Sequence, residues 1–218
     1  MKPLSWISAT TLAALATSAL TASVALAATI DGGPRGERLR GTNAADRIAG
    51  HGGPDRIRAL AGPDVLAGGL GRDFIHAGLG DDVSAGQAGR DVMAGGPGND
   101  RQDGGPGNDR IFANLGNDQT FGGEGNDELW ALARKDVSGD GDVLGDIVNG
   151  EGGNDRIRVR DGEVDTITCG DGNDVALLDE VDVIADATPA DPNGSCEKVT
   201  RKAPKSGEDQ TENENSGT

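Results

Sequence analysis

Large apolar residues are sparse in this chain and come singly, one every nine residues. Ile48, Ile57, Leu66 and Ile75 open the series, and Met93, Ile111 and Leu129 continue it. Ser84, Gln102 and Thr120 stand at the same period but are polar. The slot before the apolar residue is often basic, as at Arg47, Arg56, Arg101, Arg110 and Arg156. Such an x-U-x triplet, with U the apolar residue, predicts a short strand whose centre faces inward and whose neighbours face solvent. The six residues between triplets are Gly-rich, permit backbone angles that other residues avoid, and predict a turn. One apolar stretch has a different character. Leu12 to Leu26 is an uncharged Ala/Leu/Thr-rich run behind Lys2, ending in the small-x-small triplet Ala25-Leu26-Ala27. It predicts a signal peptide cleaved after Ala27 and an extracellular protein. A membrane anchor fits less well, because Ser and Thr interrupt the run and a single Lys precedes it.

The turns carry the chemistry. Aspartates fall at Asp46, Asp55, Asp64, Asp73, Asp82, Asp91, Asp100, Asp109, Asp118 and Asp127, all at a spacing of nine. Gly stands two residues before each from Gly53 to Gly125, and Ala44 takes its place in the first copy. Gly68 to His76, GGLGRDFIH, is a complete copy of G-G-x-G-x-D-x-U-x, and GGPGNDRIF and GGEGNDELW are two more. The period breaks after Trp130 and resumes less regularly with GEGGNDRIR (150–158) and CGDGNDVAL (169–177). Turn formation alone does not require Asp at every ninth place. Composition sharpens the question of what holds such a chain together. Hydrophobic residues make up 34% and aromatics 2%, too little apolar surface to offset the ordering entropy unaided. The formal charge of −17 opposes binding to nucleic acid or an anionic membrane and suits a collector of cations.

The nonapeptides resemble the RTX, or haemolysin-type, calcium-binding repeat over about 41–130, and in fragments over 146–177. That resemblance implies an all-β fold: a right-handed parallel β-roll, or β-solenoid, with two repeats per turn and Ca²⁺ in the turns. Like positions of alternate repeats then stack ~4.8 Å apart, and ten repeats make five turns, a rod of ~24 Å. Asp55, Asp73, Asp91, Asp109 and Asp127 form one column; Asp46, Asp64, Asp82, Asp100 and Asp118 form the other. Asp155 and Asp174 extend the set. Carboxylates at that separation repel by roughly 1–3.5 kcal/mol per neighbouring pair. Several Ca²⁺ ions held by these aspartates and turn carbonyls would reverse the sign, since Ca²⁺ accepts six to eight oxygens in flexible geometry. Sorted by strand, Ile57, Ile75, Met93, Ile111 and Leu129 make one apolar stack. Ile48 and Leu66 begin the other, which turns polar at Ser84, Gln102 and Thr120. Calcium-dependent folding is therefore expected. RTX proteins typically leave the cell through a C-terminal signal, and the N-terminal signal expected here departs from that pattern.

The remainder divides into a leader (28–40), an acidic insertion (131–149), degenerate repeats with a C-terminal cap (150–200) and a disordered tail (201–218). Within the insertion, Asp136, Ser138, Asp140 and Asp142 resemble the first half of an EF-hand-type Ca²⁺ loop, but Ile147 stands where the closing Glu belongs. Cys169 and Cys196 are the only cysteines, and in an exported protein such a pair predicts one disulfide. Their segment resembles the C-terminal ends of secreted repeat proteins of Gram-positive bacteria, which implies a disulfide-stapled cap. No G-x-S-x-G or H-E-x-x-H motif occurs, and His51 and His76 fall in a turn and on an outward strand slot, so no enzymatic activity is expected. Two alternatives remain: a cell-envelope or adhesion component in which Ca²⁺ is only structural, and a small polysaccharide-active enzyme on the roll face. Phe112 with Trp130, and Phe74 with Val92, share outward columns of the kind that can mark an interface, although the insertion and cap are expected to cover Phe112 and Trp130.

Overall fold

A computed structural model describes residues 26–131 and 145–202. The x-U-x triplets do form strands, in two parallel stacks. Sheet one contains β1 (Thr29–Asp31), β3 (Arg47–Gly52), β5 (Val65–Gly71), β7 (Val83–Gly89), β9 (Arg101–Asp103), β11 (Gln119–Glu124), β13 (Ile147–Gly153), β15 (Thr166–Thr168) and β18 (Val183–Ile184), with β16 (Asp171–Gly172) also pairing β13. Sheet two contains β2 (Arg38–Arg40), β4 (Arg56–Ala61), β6 (Phe74–Leu79), β8 (Val92–Pro97), β10 (Arg110–Leu115), β12 (Glu128–Trp130), β14 (Arg156–Val159), β17 (Val175–Leu178) and β19 (Lys198–Arg201). The chain alternates between the sheets, so each turn of the solenoid spends two repeats, and Ile48 lies in register with Leu66 and Ile57 with Ile75. The protein is a parallel β-roll. Nine rungs in each stack span about 38 Å at the usual strand spacing.

Many strands are longer than the triplet, six or seven residues in β3 to β8. They run on through the first residues of the next turn because those positions also pair with the turn above. The second position of the repeat bends the strand with positive φ whether or not it is Gly, as at His51 (73°), Leu60 (94°), Gln87 (72°) and Asn114 (81°). The fourth position is stricter. At Gly71 (φ 144°) an added Cβ would meet the carbonyl of Gly53 one turn earlier, so the close stacking of turns excludes any side chain.

Inside, Ile57, Ile75, Met93, Ile111, Leu129 and Ile157 form an unbroken buried stack. Each contributes about 1.5–3 kcal/mol relative to exposure. In sheet one, Ser84, Gln102 and Thr120 are buried as expected, but Val148, Ile167 and Ile184 then restore the apolar column. The polar rungs are thus a three-strand segment in mid-roll, not a thinning towards the end. Gln102 is not a defect there: with its amide suitably turned, Nε2 donates to the Phe112 carbonyl (3.2 Å) and Oε1 accepts from Gly95 N–H (3.0 Å).

Residues 28–40, expected as a leader, already form a turn: β1 pairs β3 and β2 pairs β4. Gly32 and Glu37 stand at the first and sixth positions of a repeat in which Glu replaces Asp. The signal segment up to residue 25, the loop with Asp136, Ser138, Asp140 and Asp142, and the tail from 203 lie outside the described residues. Of the 131–149 insertion, Ile147–Asn149 belong to β13, in register with Gln119–Phe121. Cys169 and Cys196, both buried, form the expected disulfide across a separation of 27 residues. Phe112 and Trp130 stack at 4.6 Å, and the Arg158 guanidinium lies 5.0 Å from the Trp130 ring centre.

Candidate metal centre

The sixth position of each repeat delivers an Asp whose side chain folds back beneath its turn. Its Oδ1 accepts the backbone N–H of the residue one turn earlier, so the side chains stitch the roll along its axis. On the edge leading from sheet one to sheet two the column runs Asp55, Asp73, Asp91, Asp109, Asp127, Asp155 and Asp174, with N–H···Oδ1 distances of 2.7–2.8 Å. Glu37 N–H opens this column by donating to Asp55 (2.7 Å), and Glu197 closes it by accepting from Asp174 N–H (2.7 Å). On the opposite edge the column runs Asp46, Asp64, Asp82, Asp100 and Asp118, linked at 2.6–2.9 Å. Every expected aspartate among the described residues falls in one of the two columns.

The second column continues beyond the expected set through Asp146, Asp165 and Asp182. Their separations of 28, 19 and 17 residues hide them from a search at fixed period. The remaining signal was an Asp just before the triplets Ile147-Val148-Asn149, Thr166-Ile167-Thr168 and Val183-Ile184-Ala185. Outside the turns a further ladder runs along each edge at the fifth position: Asn117 N–H donates to Asn99 Oδ1 on the second edge and Asn126 N–H to Asn108 Oδ1 on the first. It accounts for the recurrence of Asn next to Asp in the later repeats.

The other carboxylate oxygen decides what the site does. Oδ2 of Asp55, Asp73, Asp91, Asp109, Asp127, Asp155 and Asp174 on the first edge is buried and has no hydrogen-bond donor. The same holds for Asp64, Asp82, Asp100 and Asp165 on the second. An unsatisfied buried acceptor costs about 1–3 kcal/mol, more when charged. Burial, reinforced by neighbouring carboxylates, pushes Asp82, Asp91 and Asp127 up to about 6 and Asp109, Asp155 and Asp182 up to about 7. Asp100 is pushed to about 8 and Asp146 to about 9 by the same causes. Asp46 differs. Burial raises it, but the N–H groups of Thr42 and Ala28 and the Thr42 hydroxyl outweigh that and hold it below the ordinary value.

From Asp55 to Asp155 on the first edge, and at Asp100 on the second, the orphan oxygen adjoins a carbonyl of the next turn. A Cβ added to Gly50 would meet both Asp55 Oδ2 and the Gly68 carbonyl, and Gly68, Gly86, Gly104, Gly122 and Gly150 repeat the arrangement. Two oxygens facing one point, with no donor between them, is a donor set for a cation. The two edges are unequal. The first edge has Gly at this position in every turn from Gly50 to Gly150, whereas on the second, over the turns from Asp46 to Asp118, only Gly41 and Gly95 are Gly, and Ala59, Ala77 and Ala113 fill the others with buried methyls. Among the described residues no three His, Cys, Asp or Glu side chains converge as a metal cluster. A site built from one or two carboxylates plus carbonyls fits a hard, oxygen-seeking ion such as Ca²⁺ and not zinc, which needs Cys or His ligands.

The family model for the RTX calcium-binding nonapeptide repeat (4 copies) matches residues 31–65, 50–84, 58–93, 85–102 and 94–129. No curated protein matches the chain.

Proposed function

Residues 31–129 belong to the RTX calcium-binding nonapeptide repeat family, and from that premise we propose that the chain is an exported calcium-binding protein without a catalytic domain, whose roll folds as several Ca²⁺ ions enter its turns. The observation that carries the reading is the row of buried, donor-less Oδ2 atoms, those from Asp55 to Asp155 each beside a carbonyl of the next turn. Asp55, Asp73, Asp91, Asp109, Asp127 and Asp155 would hold the ions on the glycine edge, with Asp174 at its end. On the second edge Asp100 keeps a glycine cradle at Gly95, while Asp64 and Asp82 would hold ions more weakly where the methyls of Ala59 and Ala77 crowd the cradle. Bound Ca²⁺ supplies the positive charge that keeps stacked carboxylates ionised in the interior.

Export explains the dependence. A chain that folds only at millimolar Ca²⁺ stays extended inside the cell and closes outside, where the disulfide also persists. Far-UV circular dichroism of the mature protein tests this. A β spectrum in millimolar Ca²⁺ and a largely unfolded one in EDTA are expected, and identical spectra would defeat the proposal.

A further inference from the structure

The cations of the roll are not spread like its carboxylates. On the outer face of sheet two, Arg38 and Arg40 of β2 lie in register with Arg56 and Arg58 of β4, and all four are exposed while Leu39 and Ile57 between them turn inward. Strand spacing of ~4.8 Å and about 6.6 Å between alternate residues make this a flat two-by-two grid of guanidinium groups. At such distances like charges repel by roughly 1–3 kcal/mol per pair. The chain has carboxylates in excess, yet among the described residues none lies within ion-pair distance of these four. On this face Glu128 pairs with Arg110 (3.0 Å) and Arg156 (3.7 Å), three or more rungs beyond the grid. The next rung continues the strip with Phe74 and His76, in register with Arg56 and Arg58, and the Arg56 guanidinium lies 5.9 Å from the Phe74 ring centre. Sheet one shows no counterpart: at the same level it presents Thr29, Asp31, Arg47 and Ala49.

We propose that this strip binds a linear anionic polysaccharide bearing carboxylates along its chain. Arginine forks match carboxylates in bidentate fashion, and a ladder of them meets successive acidic groups of an extended polymer. Phe74 offers the adjoining rung an apolar surface on which a sugar ring stacks. The shape selects the ligand as much as the charge does. The basic strip is only two outward residues wide, running across β2 and β4, on a chain of net charge −17, so a single thin chain fits it and a duplex or a lipid surface meets general repulsion. The face exists in the folded roll, so the inference concerns a ligand in addition to calcium.

The test uses the mature protein in millimolar Ca²⁺ and a fluorescent hyaluronate oligosaccharide, with anisotropy as the readout. Saturable binding that weakens with added salt is expected, with none to a neutral dextrin of the same length. The variant R38Q/R40Q/R56Q/R58Q should bind about tenfold more weakly or worse, and the milder R38Q/R56Q should fall between. R47Q/R101Q on sheet one should match the wild type. Circular dichroism of each variant in the same buffer reports folding separately, so a failure of calcium-driven folding is distinguishable from a failure of binding. The proposal is overturned if hyaluronate does not bind, if dextrin binds equally, if folded sheet-two variants bind as the wild type does, or if poly(U) or anionic vesicles are preferred.

Discussion

Replacing Asp109 by Asn isolates the role of one orphan oxygen, because the two side chains have nearly the same shape. The Asn Oδ1 retains the hydrogen bond from Asp91 N–H, 2.7 Å in the native roll. Its Nδ2 replaces the donor-less Oδ2 and places a donor where the Gly122 carbonyl waits. Without metal the change removes a buried, donor-less acceptor on a carboxyl that burial has pushed up to about 7, which should stabilise the roll by about 1–3 kcal/mol. With metal it deletes a ligand. An ion present at a hundred times its dissociation constant contributes about 2.7 kcal/mol, and much of that should be lost. The substitution should therefore change sign with calcium. Folding driven by trimethylamine N-oxide in EDTA gives the first value, and urea unfolding in millimolar Ca²⁺ gives the second, both followed by circular dichroism. If D109N shifts stability in the same direction under both conditions, Oδ2 is not a calcium ligand and the reasoning fails.

Three further outcomes are expected. In EDTA the roll should gain structure on acidification, because raised carboxyl pKa values give the folded state extra protons. That stability is fully present below the ordinary value of 3.8 and is lost as pH rises through about 6 for Asp91, about 7 for Asp155 and about 8 for Asp100. In Ca²⁺ the slope should reverse, since protons compete with the ion, and a pH series of thermal melts under both conditions checks this. Gly68→Ala puts a methyl where Asp73 Oδ2 and the Gly86 carbonyl converge, so equilibrium dialysis should find weakened binding at one site, whereas Ala59→Gly should strengthen binding at Asp64. Removing the disulfide by Cys169→Ala with Cys196→Ala should cost about 3.5 kcal/mol in urea titrations with calcium present, from the closure entropy of its loop.

What the sequence disclosed, it disclosed through strict periodicity. Aspartates nine residues apart placed both columns, and the inward residues placed both sheets, because a solenoid converts sequence spacing directly into stacking. Where residue type or spacing changes, the reading failed although the chemistry persists. Glu37 stands in register in place of Asp and accepts the Gly33 N–H, and Asp146, Asp165 and Asp182 keep their column across irregular intervals. Position alone also said nothing of partners. Gln102 looked like a gap in the core, and only the placement of the Phe112 carbonyl and Gly95 N–H shows its amide satisfied. The inequality of the two edges was written in the alternation of Gly50, Gly68 and Gly86 with Ala59 and Ala77, but it acquires meaning only when Oδ2 is seen to share that space.

The central claim is that buried carboxylates in the turns take up calcium and thereby hold the roll. Equilibrium dialysis against Ca²⁺, with circular dichroism recorded on the same samples, tests it most directly. The account predicts several ions bound per chain, β structure appearing in step with their uptake, and little of either when Mg²⁺ replaces Ca²⁺. A fully formed β spectrum before any calcium is bound, or no more than one ion at saturation, would contradict it.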